Sequence, residues 1–350
     1  MTFLWRWLKR LIVVVVLLVA ALLAPVLYVE TLCRGDGVAA PYVPLLPPEQ
    51  HRQEARTLLT YPEWHIVHAY DDYATVIATG DPHDFGFFQA IRGFWSSLCA
   101  LHQQSAQYGG FDGETKQTIY VIGVSFSAEL ALKALYEETV GRLFAALRGA
   151  TRTPLDDLSA RQAADYAKFL QQVPWYQWDF RADAQALADQ TGESWRDRER
   201  LFALGLEYRA KAGYAEVIAA AVANMEADEL RLRMVVAGLT PEQLVGFGGV
   251  QVIEVLDAGV VIETPRYRKL TVLLNQMAKA GADFVEIAGN DEIMFTATSL
   301  DEKVGGATHS IARQGYGDYR HLLMVKVADL AEELTALHAS GLILEHVHDY

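Results

Sequence analysis

The sequence predicts an α+β protein in three parts: an N-terminal transmembrane helix, an all-α domain and a C-terminal α/β sandwich. Three observations carry this. Leu11 to Val29 is almost unbroken apolar sequence; helical periodicity dominates from about Gln53 to Leu239; and beyond Gly246, Gly248 and Gly249 the chain turns β-branched and alternating. The expected parts are an anchor at 1–30, a Pro-rich spacer at 31–52, a helical domain at 53–245 and an α/β domain at 250–350.

The apolar run is about as long as a helix needs to cross a ~30 Å hydrocarbon core. Arg6, Lys9 and Arg10 precede it, with no acid among them. Cationic flanks stay cytoplasmic, so a single-pass cell-membrane protein is expected, with its N-terminus inside and the bulk of the chain periplasmic or otherwise extracytoplasmic. The competing reading is a cleaved signal peptide. Its apolar stretch would exceed the usual ~7 to 15 residues, and cutting after Ala24 would set Pro25 beside the scissile bond. Glu30, Thr31 and Leu32 lack the small side chains that would make Cys33 a lipid acceptor.

A net charge of -14 argues against a nucleic-acid partner and against tight docking on anionic headgroups. The only cysteines are Cys33 and Cys99. An oxidising compartment would permit them to pair; one beside the membrane and one in a helix, they read as two separate thiols. Ala39 to Pro48, AAPYVPLLPP, favours extended polyproline II geometry and a semi-rigid spacer.

In the helical part, Thr60 with Glu63 matches a capping box and opens a helix to about Thr79, ended by Gly80, Asp81 and Pro82. Further helices are expected over about Phe85 to Tyr108, Lys116 to Arg148 with a Glu129 and Lys133 pair, Ala160 to Gln172, and from Ser194 and Asp197 through about Asn224. Strands are expected at Val260 to Thr264, Asp283 to Ala288, Glu292 to Thr298, Leu322 to Val327 and Leu342 to His348. Helices at about Arg266 to Ala280 and Leu330 to Ser340 lie between them. Two such βαβ units resemble the ferredoxin-like α/β sandwich in architecture, a likeness that carries no activity.

The sharpest chemical constellation is His65, His68 and Asp72, which fall within about 60° on the first helix of the helical domain, apart from an apolar face of Ile66, Val67, Tyr70, Tyr73, Ala74 and Ile77. Imidazoles and a carboxylate so spaced can share Zn or Fe; the alternative is a solvated or hydrogen-bonded face. No HExxH or paired ExxH accompanies them. His346 and His348 share one face of the last strand, and with His321 three imidazoles would converge if the two strands are adjacent. The Gly-rich stretch from Ser299 to His321 reads either as a functional loop or as a hairpin over about Ala307 to Arg320, and fits neither GxGxxG nor a Walker loop. Trp175, Tyr176, Trp178 and Phe180 suit a headgroup boundary or a helical core. Ile119 to Leu135 is apolar but carries Ser125, Ser127, Glu129 and Lys133, and reads as a buried core helix. Ser125 lacks the second glycine of a nucleophile elbow, and the RGD at Arg34 to Asp36 is assigned no role.

With an anchor, two cores and no assembled catalytic set, the leading expectation is a membrane-anchored extracytoplasmic binding or interaction protein, with a protein partner in the cell envelope. The alternatives are a tethered metal- or haem-dependent enzyme and a structural accessory subunit of a membrane complex.

Overall fold

The computed structural model describes residues 2–37, 42–53, 55–190, 192, 194–222 and 231–350. Helix α1 (Thr2–Leu32) is long and apolar enough to span a membrane. Its last turn is not free. Val29 and Cys33 are buried in the apolar core of the helical half, and Cys33 forms a disulfide with Cys99 on α3 (Phe87–Ser105). The expectation of two separate thiols is thereby overturned: the chain packs the end of α1 along α3, which brings the two Cα atoms to 5.1 Å, within bridging range.

The helical half comprises α2 (Arg56–Thr79), α3, α4 (Gly113–Tyr136), a π-type turn (Glu137–Gly141), α5 (Arg142–Arg148), α6 (Pro154–Leu170), α7 (Phe180–Ala188) and α8 (Trp195–Val222). The expected capping box at Thr60 does not form, because α2 starts a turn earlier. The Thr57 hydroxyl donates to the His348 carbonyl and accepts from the Met294 amide, fixing the helix start to a β-sheet, while Thr60 bonds back to the Thr57 carbonyl. Glu129 and Lys133 reach across to Lys211 and Glu207 on α8 instead of serving as a local pair. Buried Arg196 and Arg200 tie α8 to Asp156 of α6 and Glu137 of the π-type turn, and Glu199 of α8 itself bonds both guanidiniums. Ser194 and Asp197 do open α8 by hydrogen bonding each other; residues 223 and 224, the expected helix end, lie outside the described residues. Trp175, Tyr176, Trp178 and Phe180 pack with Tyr166 and Ala212 between α6, α7 and α8, which is the core alternative.

The C-terminal half contains β1 (Arg231–Ala237), α9 (Pro241–Val245), β2 (Gln251–Leu256), β3 (Gly259–Pro265), α10 (Arg268–Lys279), β4 (Asp283–Ile287), β5 (Glu292–Ser299), β6 (Ala307–Ala312), β7 (Tyr319–Lys326), α11 (Leu330–Ala336) and β8 (Ile343–His348). These form two antiparallel four-stranded sheets, ordered β2-β3-β1-β4 and β6-β7-β5-β8. The strands expected in one sandwich are thus divided between two sheets. The first is completed by β1, which lies in sequence expected to be helical. One apolar core joins α10 and α11 to strands of both sheets, from Met234 and Ile262 to Phe295 and Val347. The other face of the second sheet meets α2, through Leu58, Tyr61, Met294 and Leu322. The Gly-rich stretch is the β6–β7 hairpin, the second of its two readings.

Where a semi-rigid spacer was expected, residues 42–53 run along the first sheet to α2; 38–41 fall outside the described residues. Leu46 is buried against Val235 and Val261. The Glu286 carboxylate accepts from the Tyr42 hydroxyl and from the amides of Leu45 and Leu46. Arg52 then bonds the Ala288 carbonyl through its amide and the Arg231 and Tyr350 carbonyls through its guanidinium. The stretch is a strap binding the sheet to the entry of α2.

Candidate functional site

The polar face of α2 is not solvated. It lies on the second sheet, and His65, His68 and Asp72 are all buried there with His346 and His348 of β8. Two sets of residues nearly 280 positions apart in sequence therefore form one cluster. Period 3.6 on α2 and period 2 on β8 aim them at a common layer.

Trp64 is the centre of the packing. Its ring lies 3.6 Å from the His346 ring, 5.8 Å from His68 and 6.3 Å from His348, and His346 and His348 stand edge to face at 4.8 Å. Below them Arg320 of β7 forms a two-pronged ion pair with Glu345, whose Oε2 is 3.6 Å from His68 Nε2. Glu345 occupies the irregularity where the β5–β8 register shifts between Thr296 and Ala297. That extra residue turns its carboxylate onto the face shared with Arg320.

Each imidazole has its own surroundings. The Ala90 carbonyl accepts from His65 Nε2 at 2.9 Å, which leaves the neutral ring's Nδ1 facing the Tyr61 hydroxyl at 3.5 Å. This contact requires Gly93, since a Cβ there would meet His65 Cε1 at 2.8 Å. His346 Nδ1 meets the Thr271 hydroxyl at 3.0 Å, and Val347 N–H donates to the same oxygen. His348 Nε2 approaches Thr296 Oγ1 at 3.4 Å. Asp72 accepts from the Gln314 amide in the β6–β7 turn. His68 Nε2, His346 Nε2, His348 Nδ1 and Asp72 Oδ1 are buried and make no hydrogen bond among the described residues.

Burial governs the titration. It lowers His65 to about 4 and His348 to about 3, and pushes His68 and His346 well below the ordinary imidazole range. Burial raises Asp72 to about 6, against the pull of Arg320. Burial would also raise Glu345, but Arg320 beside it holds that carboxylate below its usual value. At neutral pH the cluster is four uncharged imidazoles around the Arg320–Glu345 ion pair, with the Asp72 carboxylate at its edge largely ionised.

Of the three residues expected to share a metal, His65 is held by the Ala90 carbonyl and Asp72 by the Gln314 amide, while His68 lies beside Glu345. Among the described residues, the group that brings three such ligand atoms within 4.8 Å of one another is Asp81, His83 and Asp84; there Asp81 already pairs with Arg148 and Arg196. His321 does not join His346 and His348. β5 lies between β7 and β8, and His321 is opposite Ala297, whose side chain is on the other face from Thr296. It bonds Ser299 and Ser310 instead.

Sequence reasoning missed Arg320, Glu345 and Trp64. The alternation that places His346 and His348 on one face assigns Glu345 to the opposite one with Val347, and the register shift that turns it back cannot be read from the sequence. It also missed a hollow between α2, α6, α7 and α8 lined by Tyr70, Tyr73, Tyr166, Trp178 and Phe180. The chain's own Lys211 lies there, its ammonium 5.0 Å from the Tyr70 ring and 2.8 and 3.0 Å from Glu129 and Glu207. Burial opposes its charge, but Glu129, Tyr70 and Glu207 hold it well above the ordinary lysine value. Compared with known protein families, characterised proteins and solved structures, the chain matches none of them.

Proposed function

We propose that this chain is a single-pass, membrane-anchored extracytoplasmic interaction protein, whose two sheets are ferredoxin-like units in tandem. The observation that carries the location is the Cys33–Cys99 disulfide, at the end of the apolar helix. Disulfides persist outside the reducing cytosol, and Arg6, Lys9 and Arg10 on the far side of α1 favour the same orientation. The orders β2-β3-β1-β4 and β6-β7-β5-β8 support the tandem reading, each placing the first strand of its unit between the third and the fourth.

The site supports an interaction role over a catalytic one by its closure. Its imidazoles are sealed beneath α2 and neutral, and its central charges, Arg320 and Glu345, are paired. It is suited to holding the helical half on the sheets, so that both present fixed surfaces to an envelope partner. The test is topological: alkaline phosphatase fused after Glu49 is active if the reading holds. An inactive phosphatase, with an active cytoplasmic reporter at the same position, overturns it.

A further inference from the structure

Among the described residues, none covers one face of the continuous helix from α4 through α5. Val121, Leu132, Leu135, Leu143 and Leu147 are between 57% and 69% exposed. At about 100° per residue Val121, Leu132 and Leu135 fall within an arc of about 60°, and beyond the π-type turn Leu143 and Leu147 lie about 40° apart, an apolar stripe on each side of that turn. The charged residues between Val121 and Leu147 are Glu129, Lys133, Glu137, Glu138 and Arg142. Three of them turn inward onto Lys211, Glu207 and Arg200. The other two, Glu138 and Arg142, pair with each other one turn apart. A face turned to water ordinarily carries unpaired charge, whereas this one is neutralised along its length.

The direction of α4 says what lies against it. Phe111, just before the helix, packs on His102, whose Nδ1 meets the Cys33 carbonyl. Lys116 and Tyr120 both hold Glu30, and Val124 joins the same apolar cluster as Val26. As α4 advances, its contacts step backward along α1, so the helix turns toward the membrane-side end of the anchor. The span Gly113–Arg148 is itself apolar enough to partition into a bilayer.

We infer that the α4–α5 stripe lies in the interface of the lipid bilayer that α1 spans, so that the helical half is seated on the membrane and not held above it. The inference rests on the anchor reading of α1. The lipid contact is apolar insertion and not headgroup attraction, in keeping with the acidic chain.

The test uses the full chain in phosphatidylcholine nanodiscs, with the photoreactive residue p-benzoylphenylalanine placed singly at Leu135, Leu143, Leu17 or Leu300. Mass spectrometry then identifies what each position captures. The proposal expects lipid adducts at Leu135 and Leu143, as at Leu17 inside the anchor, and none at Leu300, which is exposed beyond β5. Lipid adducts at Leu17 with none at the stripe overturn the proposal alone. So do adducts at the stripe to a second copy of the chain or to another protein. No lipid adduct at Leu17 overturns the anchor reading, and the proposal with it.

Discussion

Acidification is expected to loosen the cluster between α2 and the second sheet, and the size of the effect follows from the direction of each shift. An imidazole whose folded pKa lies below its unfolded value of about 6.5 stabilises the fold fully above pH 6.5 and loses that contribution as pH falls toward the folded value. For His65, at about 4, and His348, at about 3, lowering the pH from 7 to 5 removes about 2 kcal/mol each, since one pKa unit is about 1.4 kcal/mol. Asp72 acts in the opposite sense. Its folded value of about 6 lies above the ordinary one, so it binds a proton more readily when folded and returns about 1 kcal/mol over the same range. The net loss from these three groups is about 3 kcal/mol, and His68 and His346 add to it. Urea unfolding of the full chain in detergent, followed at pH 7, 6 and 5, measures it directly. In His348→Gln the loss over that range shrinks by about 2 kcal/mol. Stability that is flat from pH 7 to 5, or that rises, would falsify the neutral, buried assignment of these imidazoles.

Three further outcomes follow. Arg320→Ala leaves Glu345 buried without its guanidinium and costs about 3 to 5 kcal/mol, most of which is recovered when Glu345 is made apolar as well; a single mutant within 1 kcal/mol of the parent by urea midpoint removes the ion pair's role. Glu286→Ala strands the Leu45 and Leu46 amides and costs about 3 kcal/mol, with hydrogen exchange at those amides rising; unchanged exchange would mean that the strap is held elsewhere. Replacing Cys33 and Cys99 by serine opens a loop 66 residues long and lowers stability by about 4 kcal/mol in the chain-entropy picture; a denaturation midpoint equal to the parent's contradicts that.

Much of the architecture is legible in the sequence where local signals are strong. The apolar run gives α1, the glycines ending α10 and preceding β8 punctuate the βαβ units, and Ser194 with Asp197 opens α8 as read. The strands that escape reading are those whose burial depends on neighbours. β2 is an edge strand and largely exposed, and β1 follows acidic sequence that carries helical text; β6, half-buried and polar, is legible only as one of two readings. The site is legible in halves. Helical spacing groups His65, His68 and Asp72, and strand alternation groups His346 and His348, but their meeting depends on α2 lying across the second sheet. The disulfide escapes for the same reason, because bridging is decided by the packing of α1 on α3. The capping box at Thr60 fails where a tertiary bond, Thr57 to β5 and β8, outweighs a local preference.

The central claim is that α1 delivers a folded chain to an oxidising compartment with its end fastened to α3. The state of Cys33 and Cys99 in protein taken from its native membrane tests it most directly. Denaturation in excess alkylating reagent without reductant, read by mass spectrometry, is expected to add no alkyl group, and two after reduction. Two alkyl groups added before reduction would contradict both the compartment and the fastening of the anchor.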